Sequence, residues 1–190
     1  MSALHIASGF FKGDMPEILE EKTPDYSFGK ASGRTIHLYG ACNTSAGDEM
    51  VALCNSLKES GLNATASLQR TQDGKRPAWH AKMQVHISQN GGPVIAVVGS
   101  SNLTMPAMFA HTETGRQRNI SLAQQEADVV MWLAGDECAA EVVRIARSEW
   151  RGEVLGRDAF LDSKYDDEVK KLIDGAQDLL LKFDWERVDK

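Results

Sequence analysis

The stretch that decides the fold runs from His80 to Thr104, HAKMQVHISQNGGPVIAVVGSSNLT. Two extended segments meet at Asn90-Gly91-Gly92-Pro93, and an Asn-Gly pair between such segments is a strong hairpin signal. The pattern predicts one strand over 79–87 and a second over 94–99. Residues two apart on a strand share a face. His80, Lys82, Gln84 and His86 therefore point one way, while Ala81, Met83, Val85 and Ile87 point the other way, into a core. The second strand is apolar on both faces and reads as central in its sheet. It stops at Gly99-Ser100-Ser101-Asn102. A hairpin returns that stop to the level where the first strand begins, so His80, Lys82, Ser100 and Asn102 converge at one end of the sheet. Imidazole, ammonium, hydroxyl and amide together suit a phosphate diester. The cation and the amide hold non-bridging oxygens while the imidazole attacks phosphorus.

Toward the N-terminus, 4–12 is apolar and β-like, and Asp14 followed by Pro16 marks a helix start for 14–22. Residues 23–33 read as a loop and 34–42 as a strand. Met50, Leu53, Cys54 and Leu57 recur at helical spacing within a helix over 45–60, which Gly61 terminates. A strand follows over 63–70, then a polar loop over 71–77. Toward the C-terminus, a short helix is expected over 103–110, with strands over 118–124 and 128–133. An amphipathic helix is expected over 137–150, with Val142, Val143, Ile145 and Ala146 on its apolar face. Residues 158–190 read as further helix, offering Val169, Leu172, Ile173, Leu179, Leu180 and Leu181 for packing. Strand–helix–strand alternation followed by a central hairpin implies an α/β (α+β) domain, a mixed sheet flanked by helices, spanning 1–190 as one unit.

Composition bounds the function. With 42% hydrophobic and 25% charged residues, the 190-residue chain carries enough apolar side chains for a packed core. A net charge of -6 argues against a broad basic surface for nucleic acid, though not against a local basic groove. No apolar run is long enough to span a membrane, and the N-terminus lacks the pattern of a secretory signal. Cys42, Cys54 and Cys138 show no metal-ligand spacing and read as buried thiols of a cytoplasmic protein. No His/Cys/Asp/Glu set has the spacing of a metal site, and no glycine-rich nucleotide loop is present. Trp79 stacks on a base or packs in the core, with packing favoured. His111, Glu113, Arg116 and Arg118 form a polar loop that either lines a groove or is simply solvated. His5 and His37 read as structural, His86 as a surface or partner-contacting side chain, and the acidic C-terminal helices as a solvated face.

The pair His80-Ala81-Lys82 and Gly99-Ser100-Ser101-Asn102, separated by a hairpin, resembles the single-motif nuclease and restriction-endonuclease-like branch of the phospholipase D superfamily. That family's motif is His-x-Lys, then Gly-Ser-x-Asn, and the match covers about 25 residues. The resemblance implies a phospholipase D-like domain and a metal-independent phosphodiesterase needing no cofactor. It implies His80, Lys82, Asn102 and Ser100 as catalytic residues, with Ser101, Trp79, Glu113 and Arg116 touching substrate. The family's chemistry uses two histidines, one forming a phosphohistidine and one acting as general acid and base. One motif per chain then implies a two-fold homodimer with a shared site, and DNA as substrate. Two positions depart from the pattern. Ile87 stands where the family has Asp. Ser121, in Asn119-Ile120-Ser121, stands where such nucleases carry Glu, with Glu113 or Glu126 as substitutes. A catalytically impaired binding or dimerisation module and a phospholipid phosphodiesterase are the alternatives.

Overall fold

In the computed structural model, residues 2–8, 35–40, 44–69, 82–99, 128–149 and 163–189 are described. Seven strands form one mixed sheet. They are β1 (Ala3–Ser8), β2 (Thr35–Gly40), β3 (Asn63–Gln69), β4 (Lys82–Ile87), β5 (Pro93–Gly99), β6 (Asp128–Trp132) and β7 (Trp185–Arg187). Their order across the sheet is β6-β5-β4-β1-β2-β3-β7. β1, β2 and β3 run parallel, and every other pairing is antiparallel. Among the described residues three α-helices cover the sheet: α1 (Thr44–Glu59), α2 (Glu137–Glu149) and α3 (Asp166–Leu181). The α/β class expected from the sequence is present.

The two faces are built differently. On one, α3 lays Ile173, Ala176 and Leu180 onto Ala7, Tyr39, Met83, Val85, Ile87 and Ala96. On the other, α1 sets Met50, Leu53, Cys54 and Leu57 against Leu38, Ala64 and Ala66, the helical spacing read from the sequence. On the same face α2 packs Ala139 and Val143 on Val94 and Ile95.

Local chemistry sets the ends of these elements. The Gly61 N–H bonds the Lys58 carbonyl at 2.9 Å and the Leu62 N–H bonds the Leu57 carbonyl at 3.0 Å. This is the paired closure of a Schellman cap, and it needs the positive φ of +82° that Gly61 adopts. The β4–β5 hairpin closes between Ser88 and Gly92 at 2.8 Å, with Gly91 at φ +87°. Asp136 caps α2, its Oδ1 accepting from the Ala139 N–H at 2.8 Å. Asp166 opens α3 and reaches back to accept from the Ala134 and Gly135 N–H groups at 2.9 and 2.8 Å. That joins α3 to the turn after β6.

Several expectations are corrected here. The C-terminal region is not helix throughout: α3 ends at Leu181, and β7 then pairs with β3 at the sheet edge. Leu172, Leu179 and Leu181 are exposed rather than packed. β5 is an interior strand as expected, paired with β4 and β6, and β1 is the middle strand of the order. Cys54 is buried, but Cys138 is exposed. Burial raises the pKa of the Cys54 thiol. The elements expected over 14–22, 103–110 and 118–124 lie outside the described residues, as does Cys42.

Candidate active-site end of the sheet

The site is best built from register. Lys82 is the first residue of β4 and pairs with Gly99, the last residue of β5. Gly99 in turn pairs with Asp128, the first residue of β6. On the other side of β4, Ala7 pairs with Met83, so Ser8 comes level with Lys82. Ser8 itself pairs with Gly40 on β2. Cross-strand partners share a face. One row therefore crosses five strands: Gly40, Ser8, Lys82, Gly99, Asp128. It holds one ammonium, one hydroxyl and one carboxylate, with Gly99 between Lys82 and Asp128 and Gly40 at the end of the row.

Gly40 has a packing reason. A Cβ there would lie 2.9 Å from the Met50 sulfur, so α1 can approach β2 only because that position is bare. Gly99 stands between Lys82 and Asp128 in the row and contributes no side chain.

That row bounds a small cleft lined by Ile6, Ser8, Lys82, Gln84, Val97 and Asp128, together with Ala7 and Met83. Its volume is about 30 Å³, room for a water molecule or two rather than for a nucleotide. It opens on the sheet face that carries α1 and α2. α2 packs over Val94 and Ile95, toward the hairpin, which leaves the Lys82 end of β4 uncovered by it.

Lys82 is part-buried, and its side chain makes no hydrogen bond or ion pair among the described residues. A cation removed from water without a counter-ion is costly, so such a site favours an anion. Ser8 is buried at 1% exposure, and Asp128 is exposed. Both have interaction partners.

Of the expected site residues, Lys82 is described and lines the cleft. His80, Ser100, Ser101, Asn102, Trp79, Glu113 and Arg116 lie outside the described residues, as do Ser121 and Glu126. Ile87 can be judged. It is buried in the core on the α3 face, opposite the face of Lys82, and five residues along the strand, roughly 17 Å away. A missing carboxylate at that position takes nothing from the cleft.

His86 needs correction. It shares the Lys82 face, as alternation predicts, but it is 7% exposed and is not a surface side chain. Burial lowers its pKa from 6.5 to about 4, which keeps the ring neutral.

Sequence reasoning missed Asp128 and Ser8. Asp128 begins an apolar strand, and only the pairing with Gly99 shows that it stands level with Lys82. No local signal in the sequence reveals that register.

A second polar cluster occupies the α3 face. His5 and His37 stack at 4.7 Å between ring centroids. Each engages a neighbour through Nδ1: His5 with the Tyr39 hydroxyl at 3.0 Å and His37 with Thr65 Oγ1 at 2.8 Å. Trp185 packs against Tyr39 at 4.9 Å. Burial, reinforced by the neighbouring His37, lowers the His5 pKa to about 4. His37 is lowered as well, chiefly by burial. Among the described residues no group of three His, Cys, Asp or Glu side chains could hold a metal ion, and no helix is long and apolar enough to cross a membrane. No family model, curated protein or solved structure matches the chain.

Proposed function

We propose that the chain is a metal-independent phosphodiesterase of the phospholipase D kind, acting on DNA as a cytoplasmic nuclease. In this reading His80 attacks phosphorus, and Lys82, Ser100 and Asn102 hold the non-bridging oxygens. Trp79, Ser101, Glu113 and Arg116 contact the rest of the substrate.

The observation that carries the reading is the part-buried Lys82 ammonium, which has no partner among the described residues and lies in a cleft level with Gly99. His80 precedes Lys82 by two residues, and Ser100–Asn102 follow Gly99 directly. The two halves of the motif are thus tethered to one row of the sheet. An unneutralised cation, with an imidazole two residues before it and an amide three residues after its cross-strand partner in the sequence, suits an anion that is to be attacked rather than merely bound.

The reaction balances with two imidazoles. His80 of one subunit displaces the leaving oxygen and forms a phosphohistidine. His80 of a second copy gives that oxygen a proton, then removes one from the water that hydrolyses the intermediate. One motif per chain makes a two-fold dimer the simplest source of the second ring.

The test is hydrolysis of plasmid DNA and of bis-p-nitrophenyl phosphate with a chelator present, alongside light scattering. The proposal expects turnover by a dimer and its loss in His80→Ala with the fold retained. An unchanged rate in that variant, or an active monomer, refutes it.

A further inference from the structure

Two residues further along the strands, on the Lys82 face, lies a second row. Ile6, Gln84, Val97 and Val130 are cross-strand partners there. Gln84 is the polar member of that row, and Ile6, Gln84 and Val97 line the cleft together with Lys82. The Gln84 side chain is part-buried and, like that of Lys82, has no hydrogen-bond partner among the described residues. An amide set between two apolar neighbours and left unanswered is unfavourable until a ligand completes it. From this geometry we infer that Gln84 is a phosphate-binding residue: its amide N–H and the Lys82 ammonium together hold the non-bridging oxygens of the substrate diester.

Reach and chemistry agree. Residues two apart on a strand stand about 7 Å apart on one face. An oxyanion that accepts one bond of about 2.8 Å from each side chain bridges a gap of that order. The cleft, at about 30 Å³, admits the oxygens and leaves the ester groups outside. Apolar walls at Ile6 and Val97 lower the local dielectric, so each bond counts for more than in water. The residue type matters as much as its place. A carboxylate at position 84 would answer Lys82, as Asp189 answers Lys58 at 2.7 Å, and would close the cleft to anions. An amide of the same shape leaves the ammonium unneutralised and adds a second donor.

The inference rests on the phosphodiesterase reading for its meaning, but its test does not require turnover. Binding of dimethyl phosphate is measured by calorimetry at pH 7 and low salt, for the wild-type chain, Gln84→Leu, Gln84→Glu and Gln84→Lys. Gln84→Leu keeps the bulk and loses the donor, so affinity should fall about tenfold. Gln84→Glu places a carboxylate beside both the ammonium and the ligand, so affinity should fall at least about a hundredfold. Gln84→Lys keeps a donor and adds a cation, so affinity should hold or rise. A purely structural Gln84 would treat the two charged replacements alike, because both bring a charge to the same part-buried position. Gln84→Met takes the place of the Leu variant if that protein fails to fold. Wild-type affinity in the apolar variant, equal losses in the Glu and Lys variants, or no measurable binding by the wild-type chain overturns the assignment. Hydrolysis of bis-p-nitrophenyl phosphate by the wild-type chain is followed in parallel. The expected order of affinities without turnover retains Gln84 as an anion ligand and sinks the hydrolase; turnover with unshifted affinities does the reverse.

Discussion

Asp189 and Lys82 each carry a charge into surroundings partly closed to water, and the chain treats them in opposite ways. The Asp189 side chain is fully buried, and every neighbour answers it. Lys58 donates at 2.7 Å, Arg187 at 3.0 and 3.2 Å, and the Ala66 N–H at 3.0 Å. That clamp fastens the segment after β7 to β3 and to the end of α1. Its carboxyl pKa is lowered well below the usual range: burial acts to raise it, and the combined bonds from Arg187, Lys58 and Ala66 outweigh that. Lys82, at the opposite side of β1, has no such answering group among the described residues. The contrast teaches where charge is spent on folding and where it is held ready for a ligand.

The comparison breaks most visibly at the clamp. Asp189→Ala strands the buried Ala66 N–H and leaves two cations unanswered. Loss of a buried acceptor and its pairs costs about 3 kcal/mol, the exposed ends of Lys58 and Arg187 adding little. Urea unfolding should show the free energy of unfolding falling by that much, with the midpoint lowered in proportion, and an unchanged midpoint would show the clamp to be ornamental.

The buried imidazoles give the next effect. His86 has its pKa lowered to about 4 in the folded chain, against 6.5 unfolded. The unfolded state therefore binds more protons below pH 6.5, so stability is complete above that pH and is lost as pH falls toward 4. Between pH 7 and pH 5 His86 alone accounts for about 2 kcal/mol, and His5 adds to it in the same direction. Urea midpoints across that range should fall steadily. A flat profile would mean that these rings are not held neutral.

The smallest stability effect is expected at the site itself. Lys82→Met removes a charge that is paired with nothing described and keeps the apolar stem. Stability should stay within about 1 kcal/mol of the parent or rise, the usual signature of a residue retained for function. A loss as large as that of Asp189→Ala would place Lys82 with the clamp and erase the contrast.

Much of this was legible in the sequence because it is local. The β4–β5 hairpin follows from Asn90-Gly91, α1 from the spacing of Met50, Leu53, Cys54 and Leu57, and its stop from Gly61. The alternation of Met83, Val85 and Ile87 against Lys82, Gln84 and His86 gives both faces of β4. What escaped depends on partners far away in the chain. β7 is three residues, Trp185–Arg187, and is a strand only because β3 offers it an edge. His86 has the polar character of a surface residue, yet it pairs with Leu4 and Ile95 in the interior. Asp128 carries no motif, and its meaning comes from the hydrogen-bonded register with Gly99. Phospholipase D likeness rests on His80-Ala81-Lys82 and Gly99-Ser100-Ser101-Asn102, of which Lys82 and Gly99 are among the described residues.

The central claim is that Lys82 is held unpaired for a substrate phosphate. The most direct measurement is chelator-resistant hydrolysis of bis-p-nitrophenyl phosphate by Lys82→Met, on protein whose unfolding midpoint matches the parent. The account predicts a folded protein with turnover reduced by at least about a hundredfold, the scale of losing a charge-stabilising group at the reacting phosphate. A folded variant that hydrolyses the diester at the parental rate contradicts it.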